Sequence, residues 1–330
     1  MTWWFPALAL AGGRLPHHPG LPPVTPPAAI VGGEPAPDDA APEVAALFIA
    51  DLFGCSGVLV APDLVVSAGH CWSATTLEKS VILGANDYTK DGERIVAVED
   101  WRMPDYLETF DIALFALERD AETPPVRMMR SCEADEVLYD GMTATIFGFG
   151  ALDADARVST TRLHRASITI DDADCSDPDR GCRSAVAPDG ELRAGGDGVD
   201  SCVGDSGGPL FVDTPDGRLL AGIASRASQP ASTYCGSGGI YVRADAIADW
   251  IENTSGRTLP AAPCDPEPPD ETAHTAHTAD TGRAPVLPDR CGCAGPAPPS
   301  PWLGLVVGLI AGVRGRGRRK RPVARHRPTA

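Results

Sequence analysis

Short apolar runs rich in Val, Ile and Leu recur through the middle of the chain, and turn-forming residues separate them. The clearest runs lie at residues 57–60, 64–66, 144–146, 166–170, 219–223 and 239–242. Short strands that alternate with turn signals are typical of β-sandwiches and β-barrels. The pattern therefore predicts an all-β domain over about residues 30–253.

One segment at the end of this region has helical spacing instead. Over residues 244–252, the side chains of Ile247, Trp250 and Ile251 fall on one face of a helix. We therefore predict a helix at the C-terminal end of the β domain.

The flanking segments differ in composition from the β domain, which we assign to residues 30–256. Residues 1–11 form a short apolar segment that ends in small residues, as in an export signal. Residues 12–29 are rich in Pro, Gly and His and are interpreted as a propeptide. Residues 257–290 are rich in Pro, Thr and Asp and are interpreted as a linker, with metal binding by His274 and His277 as an alternative.

Residues 291–330 combine Cys291 and Cys293 with an apolar stretch at 302–313 and a basic end. The apolar stretch is too short to span a bilayer comfortably. This arrangement resembles the C-terminal sorting signals of myxobacterial surface proteins, which membrane machinery recognises and removes. The resemblance implies display at the cell surface or release from it, and a simple tail anchor or an unprocessed tail are the alternatives.

Charge and cysteine content narrow the class of protein. The formal net charge is −17, although the last 17 residues carry eight Arg or Lys and no acid. An acidic body argues against nucleic-acid binding and is compatible with attraction of basic substrates. The ten cysteines include no CxxC pair in the body, which favours disulfides in an oxidising compartment over a metal site. We expect no cofactor, no metal and a monomer.

The first candidate for chemistry is Ser206, in the segment GDSGGP at residues 204–209. A serine hydroxyl is a weak nucleophile until a base takes its proton. Glycines beside the serine allow a sharp turn and close approach of a substrate carbonyl. The N–H groups of Gly204 and Ser206 could then stabilise an oxyanion.

A base and a carboxylate are available elsewhere in the chain. His70 follows a predicted strand and precedes Cys71, whose disulfide could fix the loop. Asp111 begins an apolar segment, where a buried charge would be costly without a hydrogen-bonded partner. Acid, imidazole and serine together are what a proton-relay hydrolase needs.

Four segments resemble the trypsin/chymotrypsin family in order and spacing: IVGG at 30–33, SAGHC at 67–71, DIAL at 111–114 and GDSGGP at 204–209. The resemblance covers about residues 30–253, roughly two thirds of the chain. It implies two antiparallel β-barrels with the active site in the cleft between them. It also implies that His70 is the general base, Asp111 its orienting partner and Ser206 the nucleophile.

The resemblance implies activation by proteolysis before Ile30. The new α-ammonium group of Ile30 would then pair with Asp205 and order the backbone of Gly204. Ala29, not Arg or Lys, precedes this bond. We therefore expect a separate activating protease that prefers small residues.

Substrate preference is implied by Asp200, six residues before Ser206, where trypsin-like members have the carboxylate at the base of the primary pocket. Such a carboxylate favours Arg or Lys. Gly239 matches the glycine that leaves the pocket open, and Ser225 matches the serine that supports the triad. Where the family usually has Ser-Trp-Gly, this chain has Ser-Arg-Ala, so Arg226 could repel basic residues at neighbouring subsites or narrow the choice of substrate.

The resemblance also implies a set of disulfides. These are Cys55–Cys71, Cys202–Cys235, Cys175–Cys182 and Cys132–Cys264. The third pair is local because Arg193 stands where the family's usual second partner would be.

The sequence thus predicts an exported zymogen that cleaves protein or peptide substrates after Arg or Lys. Two alternatives stay open: a protease of the same fold that prefers small or apolar residues, and a catalytically silent surface-binding homologue.

Overall fold

The computed structural model describes residues 30–231 and 233–260 of the chain. The strands in these residues are β1 (Glu34–Pro35), β2 (Val44–Ile49), β3 (Leu52–Ala61), β4 (Leu64–Ser67), β5 (Lys79–Leu83), β6 (Glu93–Arg102), β7 (Ala113–Leu117), β8 (Thr143–Gly148), β9 (His164–Asp172), β10 (Glu191–Ala194), β11 (Pro209–Thr214), β12 (Gly217–Ala227) and β13 (Gly239–Arg243). The α-helices there are α1 (Ser131–Val137) and α2 (Ala248–Ser255), and short 3₁₀ helices occur at Gly69–Cys71 and Pro178–Arg180. Each apolar run singled out in the sequence lies within a strand.

The strands close into two antiparallel barrels. The first has the strand order β2-β3-β4-β7-β6-β5, and β5 pairs with β2 to close it. The second has the order β9-β10-β13-β12-β11-β8, and pairing of β8 with β9 closes it. Strand β1 pairs with the outside of β9. The prediction of an all-β fold with two antiparallel barrels and a C-terminal helix is confirmed.

Side-chain pattern explains why these segments form barrels. Every residue of β4 and β7 is buried, as expected for strands with apolar neighbours on both faces. In β9 the alternate residues Ala166, Ile168 and Ile170 point inward while polar residues between them face solvent. Few aromatic residues contribute, so the two cores consist mainly of Val, Leu, Ile and Ala.

Aromatic side chains join the two barrels. The rings of Phe53 and Tyr88 stack with centroids 5.2 Å apart. Phe149, which follows β8, packs edge-on at 6.5 Å from Phe53 and at 5.5 Å from Tyr88. Aromatic pairs at these distances contribute about 0.5–1.5 kcal/mol each beyond their buried area.

The C-terminal helix begins later than the sequence predicts. We expected it over 244–252, but α2 runs from Ala248 to Ser255. The N–H of Ala244 donates to the carbonyl of Ala221, which keeps this residue attached to the sheet. Gly256, with φ of 70°, then ends the helix. The predicted apolar face is correct, because Ile247 and Ile251 are fully buried.

The predicted export signal at 1–11, propeptide at 12–29 and C-terminal signal at 291–330 lie outside the described residues, as does nearly all of the linker at 257–290. No helix in the described part of the chain is long and apolar enough to span a membrane.

Candidate active site

His70 and Asp111 are in direct contact. His70 lies in the 3₁₀ helix directly after β4, and Asp111 precedes β7, the neighbour of β4 in the first barrel. The Nδ1 atom of His70 is 2.8 Å from Oδ2 of Asp111, and the backbone N–H of His70 donates to Oδ1 at 2.8 Å. Gly69 makes this approach possible, because a Cβ there would lie 3.0 Å from Oδ1.

The carboxylate of Asp111 is buried but well supplied with donors. Its residue is 3 % exposed, and Oδ2 also accepts a hydrogen bond of 2.7 Å from Oγ of Ser225 in β12. Burial alone would raise the pKa of Asp111, but the hydrogen bonds and charge of His70, together with Ser225, hold the pKa below its ordinary value. The carboxyl group of Asp111 is therefore ionised at neutral pH, and it holds the His70 imidazole at Nδ1.

Ser206 packs against the first barrel, next to the segment that carries His70. Its carbonyl oxygen accepts a hydrogen bond of 3.0 Å from the N–H of Ser56 and lies 3.9 Å from Sγ of Cys71. Gly207, with φ of 82°, allows this docking, since a Cβ there would lie 2.0 Å from Oγ of Ser67. The loop of the second barrel that carries Ser206 is thus fixed against β3 and β4, beside Cys71, the residue that follows His70.

In the loop that carries Ser206, some backbone N–H groups donate hydrogen bonds to other protein groups and some do not. The N–H groups of Asp205 and Gly208 close turns within the loop, and that of Gly207 donates to Ala224. In the described part of the chain, the N–H groups of Gly204 and Ser206 donate to no acceptor. Ser56 Oγ holds the Gly204 carbonyl at 2.9 Å, so this peptide is fixed in place. Two unused donors in one rigid loop are what an oxyanion site requires.

Asp205 is buried at the base of the same loop. Its two carboxylate oxygens accept hydrogen bonds of 2.8 Å from the N–H groups of Gly150 and Cys202. A Cβ at Gly148 or Gly150 would lie within 2.6 Å of the Asp205 carboxylate, so glycine is required there. Burial raises the pKa of Asp205 to about 7. Among the described residues no basic side chain forms an ion pair with it.

Ile30, the residue that the sequence assigns to activation, is buried with φ of 55°. The next residue, Val31, bridges to Asp200, and its carbonyl accepts a hydrogen bond of 3.1 Å from the Asp200 N–H. The start of the described chain is therefore attached to the segment between Asp200 and Ser206.

A cavity opens directly beside Ser206. Its lining residues are Ser201, Cys202, Val203, Ser206, Ala224, Ser225, Arg226, Ala227, Tyr234 and Cys235. Two of the expected site residues, Ser206 and Ser225, therefore share one cavity.

Asp200 lies behind this cavity wall, one residue before Ser201, and is 1 % exposed. Its Oδ2 accepts hydrogen bonds from the N–H groups of Gly236 at 3.1 Å and Gly238 at 3.0 Å. Burial raises the pKa of Asp200 to about 6. Gly239 packs against this carboxylate, because a Cβ at Gly239 would lie 3.1 Å from Oδ1 of Asp200.

Arg226 lines the cavity, but protein acceptors already bind its guanidinium group. Its two terminal nitrogens donate to the two carboxylate oxygens of Glu191 at 2.6 and 2.8 Å, and Nη2 also donates to the carbonyl of Gly181 at 2.7 Å. Glu191 is almost fully buried, so its charge compensates that of Arg226. The sequence pattern did not indicate Glu191 as a partner.

Arg193 is a second buried arginine near the pocket. Its side chain is 10 % exposed and forms an ion pair with Asp171. Its Nη2 donates to the carbonyl of Ser237 at 2.9 Å. The arginine that replaces a family cysteine was visible in the sequence, but its contacts were not.

Three predicted disulfides are present: Cys55–Cys71, Cys175–Cys182 and Cys202–Cys235. Cys132 is also disulfide-bonded, and Cys264, its expected partner, lies outside the described residues. In the described chain, two groups bring possible metal-ligand atoms together, and each contains two of these bonded cysteines. A disulfide sulfur is not a thiolate ligand, so neither group forms a metal site.

Comparison with known proteins agrees with this geometry. The sequence profile of the Trypsin family matches residues 30–251. A trypsin of Saccharopolyspora erythraea is 30% identical over 232 residues, covering 67% of this chain and 95% of the relative. A trypsin-like protease of Streptomyces glaucescens is 28% identical over 232 residues, covering 67% of this chain and 80% of the relative.

Among solved structures, neuropsin, a serine protease expressed in mouse brain, superposes with a TM-score of 0.56 at 26% identity. The match covers 68% of this chain and all of neuropsin. The chain belongs to the trypsin family of serine endopeptidases.

Proposed function

We propose that this protein is an exported serine protease, made as a zymogen, that cleaves after Arg or Lys. In this proposal Ser206 is the nucleophile, His70 the general base and Asp111 the orienting acid. The observation that carries it is the contact between His70 and Asp111. Because Nδ1 faces the carboxylate at 2.8 Å, the lone pair of Nε2 is left to accept a proton.

The reaction would proceed through an acyl-enzyme. His70 takes the proton of Ser206 Oγ while the oxygen attacks the carbonyl carbon of the substrate. The N–H groups of Gly204 and Ser206 stabilise the oxyanion, and loss of one such donor typically costs about 100- to 1000-fold in rate. His70 then gives its proton to the leaving amine, and water releases the acyl group by the same steps.

Activation is proposed to follow cleavage before Ile30. The α-ammonium group would supply the cation that Asp205 lacks among the described residues. Because Asp205 bonds to Cys202 at the start of the loop, this pair would stabilise the same turn that holds Gly204. The residue before the bond is Ala29, so we infer a separate activating protease that accepts small residues.

Primary specificity for Arg or Lys rests on Asp200. Its carboxylate lies directly behind Ser201 of the cavity, and burial makes an unpaired charge there costly. A guanidinium or ammonium group would remove that cost. A same-fold protease with small or apolar preference is the second candidate, and the exposed apolar side chains of Val203 and Tyr234 in the cavity lining favour it.

The test uses protein with an engineered cleavage site directly before Ile30. After activation, the wild type should react with a fluorophosphonate serine probe and hydrolyse peptides, whereas Ser206→Ala should do neither. A correctly folded wild type that is not labelled would indicate the catalytically silent homologue. Asp200→Ser should abolish Arg and Lys cleavage on a mixed peptide library, and unchanged selectivity would favour the second candidate.

Export and surface sorting are proposed from the sequence alone. They predict that the mature protein lacks residues 1–29 and that material from the cell surface or medium has lost part of 291–330. Mass spectrometry of both termini tests this. A cell-associated protein with an intact C-terminus would indicate a tail anchor or an unprocessed tail.

A further inference from the structure

Arg193 lies in β10, behind the loop that bonds to Asp200. Its side chain is nearly buried, with Nη1 on Oδ2 of Asp171 and Nη2 on the carbonyl oxygen of Ser237. Its Nε is buried and has no hydrogen-bond partner among the residues that the structure describes. An arginine that tolerates such burial is held by strong contacts on its remaining nitrogens.

The peptide unit between Ser237 and Gly238 connects Arg193 to the pocket. Its carbonyl oxygen accepts hydrogen bonds from Arg193 Nη2 at 2.9 Å and from Ser228 Oγ at 2.9 Å. Its N–H, at Gly238, donates to Oδ2 of Asp200 at 3.0 Å. One peptide plane therefore has a guanidinium and a hydroxyl at one end and the pocket carboxylate at the other.

This arrangement requires a glycine at position 238. Gly238 has φ of 97°, and a Cβ there would lie 2.8 Å from Nη2 of Arg193. A side chain would displace the arginine and would also strain the backbone. The close packing indicates that the guanidinium and this peptide are positioned by each other.

Two physical effects connect Arg193 with the ionised form of Asp200. Donors on a peptide oxygen polarise the unit, so its N–H becomes a stronger donor to a carboxylate. A hydrogen bond to the charged form of an acid favours that form. Burial lowers the pKa of Arg193, and the negative charge of Asp200 opposes this change, which means that the two charges interact.

The charge of Arg193 does not add a free cation to the pocket. Asp171 compensates it, and the same Oδ2 also accepts a hydrogen bond of 2.9 Å from Arg180. Arg193 itself is not among the residues that line the cavity. Asp200 does not line the cavity either, but it directly precedes Ser201, which does. A basic side chain in the cavity would therefore approach Asp200 past Ser201, and the arginine would act through the peptide behind it.

We propose that Arg193 is a positioning residue for primary specificity, which holds the Ser237–Gly238 peptide so that the Asp200 carboxylate stays ionised and directed towards a basic substrate side chain. This inference rests on the proposed role of Asp200.

The test compares two peptide substrates that differ only in the residue before the cleaved bond, Arg in one and Leu in the other. For Arg193→Met we expect kcat/KM on the Arg substrate to fall about tenfold or more through a higher KM, the size of one lost hydrogen bond to a charged group. The value for the Leu substrate should stay within about twofold, because Ser206, His70 and Asp111 are untouched.

Further variants separate charge from packing. Arg193→Lys keeps the cation and should restore part of the preference for Arg. Ser228→Ala removes the second donor to the same carbonyl and should cause a smaller loss in the same direction. If Arg193→Met does not fold, Ser228→Ala alone tests whether this carbonyl affects the preference for Arg. Arg218→Met is the matched control, because Arg218 is an ion-paired arginine of β12 that bonds Glu43 and Ala40 instead of the pocket.

A pH profile gives an independent readout. The ratio of the two kcat/KM values should fall at a higher pH in Arg193→Met than in the wild type. Among the described residues, the charge of Asp200 also raises the pKa of Asp205 and of Tyr241, and the variant leaves both of these groups in place.

Three results would overturn the inference in distinguishable ways. An unchanged ratio in Arg193→Met and Ser228→Ala would show that Arg193 has no part in specificity. Equal losses on both substrates with a lower Tm would assign Arg193 a structural role only. A wild type with no preference for Arg over Leu would instead refute the proposed role of Asp200 itself.

Discussion

Ser225 Oγ donates a hydrogen bond of 2.7 Å to Oδ2 of Asp111, the same oxygen that lies 2.8 Å from Nδ1 of His70. The contact joins β12 of the second barrel to the acid of the first. Because Ser225 also lines the cavity beside Ser206, one residue contacts Asp111 and bounds this cavity.

The Ser225 contact predicts a measurable loss when the hydroxyl is removed. In Ser225→Ala, Asp111 loses one donor, so its pKa should rise and its hold on the imidazole should weaken. We expect kcat to fall about tenfold, as for a lost hydrogen bond to a charged group. Steady-state kinetics on the activated protein measure it. Ser255→Ala is the control, because Ser255 is also buried but its Oγ bonds only to the nearby backbone of Ile251 and Arg257; an equal kcat in both variants would refute the role of Ser225.

The raised pKa of Asp200 predicts how selectivity depends on pH. Burial raises this pKa to about 6, so the carboxyl takes up a proton at a higher pH than an ordinary aspartate does. The protonated form cannot pair with a basic side chain. The preference for Arg over Leu should therefore be full above about pH 7 and should decline as the pH falls through about 6.

The measurement is the ratio of kcat/KM for the two substrates between pH 5 and pH 8. Any effect of pH on the steps that the two substrates share cancels in the ratio. Asp200→Asn should give a low ratio that does not change with pH. A wild-type ratio that is equally flat would contradict the assignment of Asp200.

The isolation of Asp205 predicts that cleavage before Ile30 stabilises the fold. The intact chain keeps this buried acid without a basic partner among the described residues, and its pKa is raised to about 7. A new α-ammonium would stabilise the ionised form, and removing one partner of such a buried pair typically costs about 3–5 kcal/mol. In a Ser206→Ala background, the cleaved protein should melt about 5 °C or more above the intact one.

Asp205→Asn provides the comparison for this effect. The substituted protein cannot form the ion pair, so cleavage should leave its Tm nearly unchanged. If the gain in Tm on cleavage persists in Asp205→Asn, the stabilisation has another origin.

Short motifs made the fold and the contact between His70 and Asp111 predictable, because each motif carries its information within a few residues. GDSGGP and SAGHC each place a reactive side chain beside the glycines or cysteine that fix its loop. The structure contains these local features, including the disulfide of Cys71 beside His70. Local apolar runs likewise predicted β8, β9, β12 and β13 of the second barrel. The start of α2 was not, because a single hydrogen bond from Ala244 to the sheet determined it.

The ion-pair partners of the buried charged side chains could not be predicted, because the sequence does not show directly which distant side chains come into contact. Glu191 and Arg226 are separated by 35 residues, and Arg193 and Asp171 by 22. The replacement of a family cysteine by Arg193 was a signal that a buried cation needed an anion. Only the register of β10 against β9 and β13 shows which acid and which carbonyl it meets.

The Arg226–Glu191 pair predicts strong coupling between its two members. Glu191 is 1 % exposed, and Arg226 donates to both of its oxygens. Without Arg226, the nearest cation to this carboxylate is Arg183, whose Nη1 is 3.8 Å away. Each single change, Arg226→Met or Glu191→Leu, leaves a buried charge without its partner and should lower the free energy of unfolding by about 3–5 kcal/mol.

The double variant removes both charges, so its loss should be smaller than the sum of the single losses by about 2 kcal/mol or more. Urea unfolding of the four proteins in a Ser206→Ala background measures this coupling. The control cycle uses Arg165 and Glu34, an ion pair whose side chains are 39% and 64% exposed and whose coupling should stay below about 1 kcal/mol. Equal coupling in the two cycles would mean that Glu191 does not hold Arg226, and the cation of Arg226 would then be free to act on substrates.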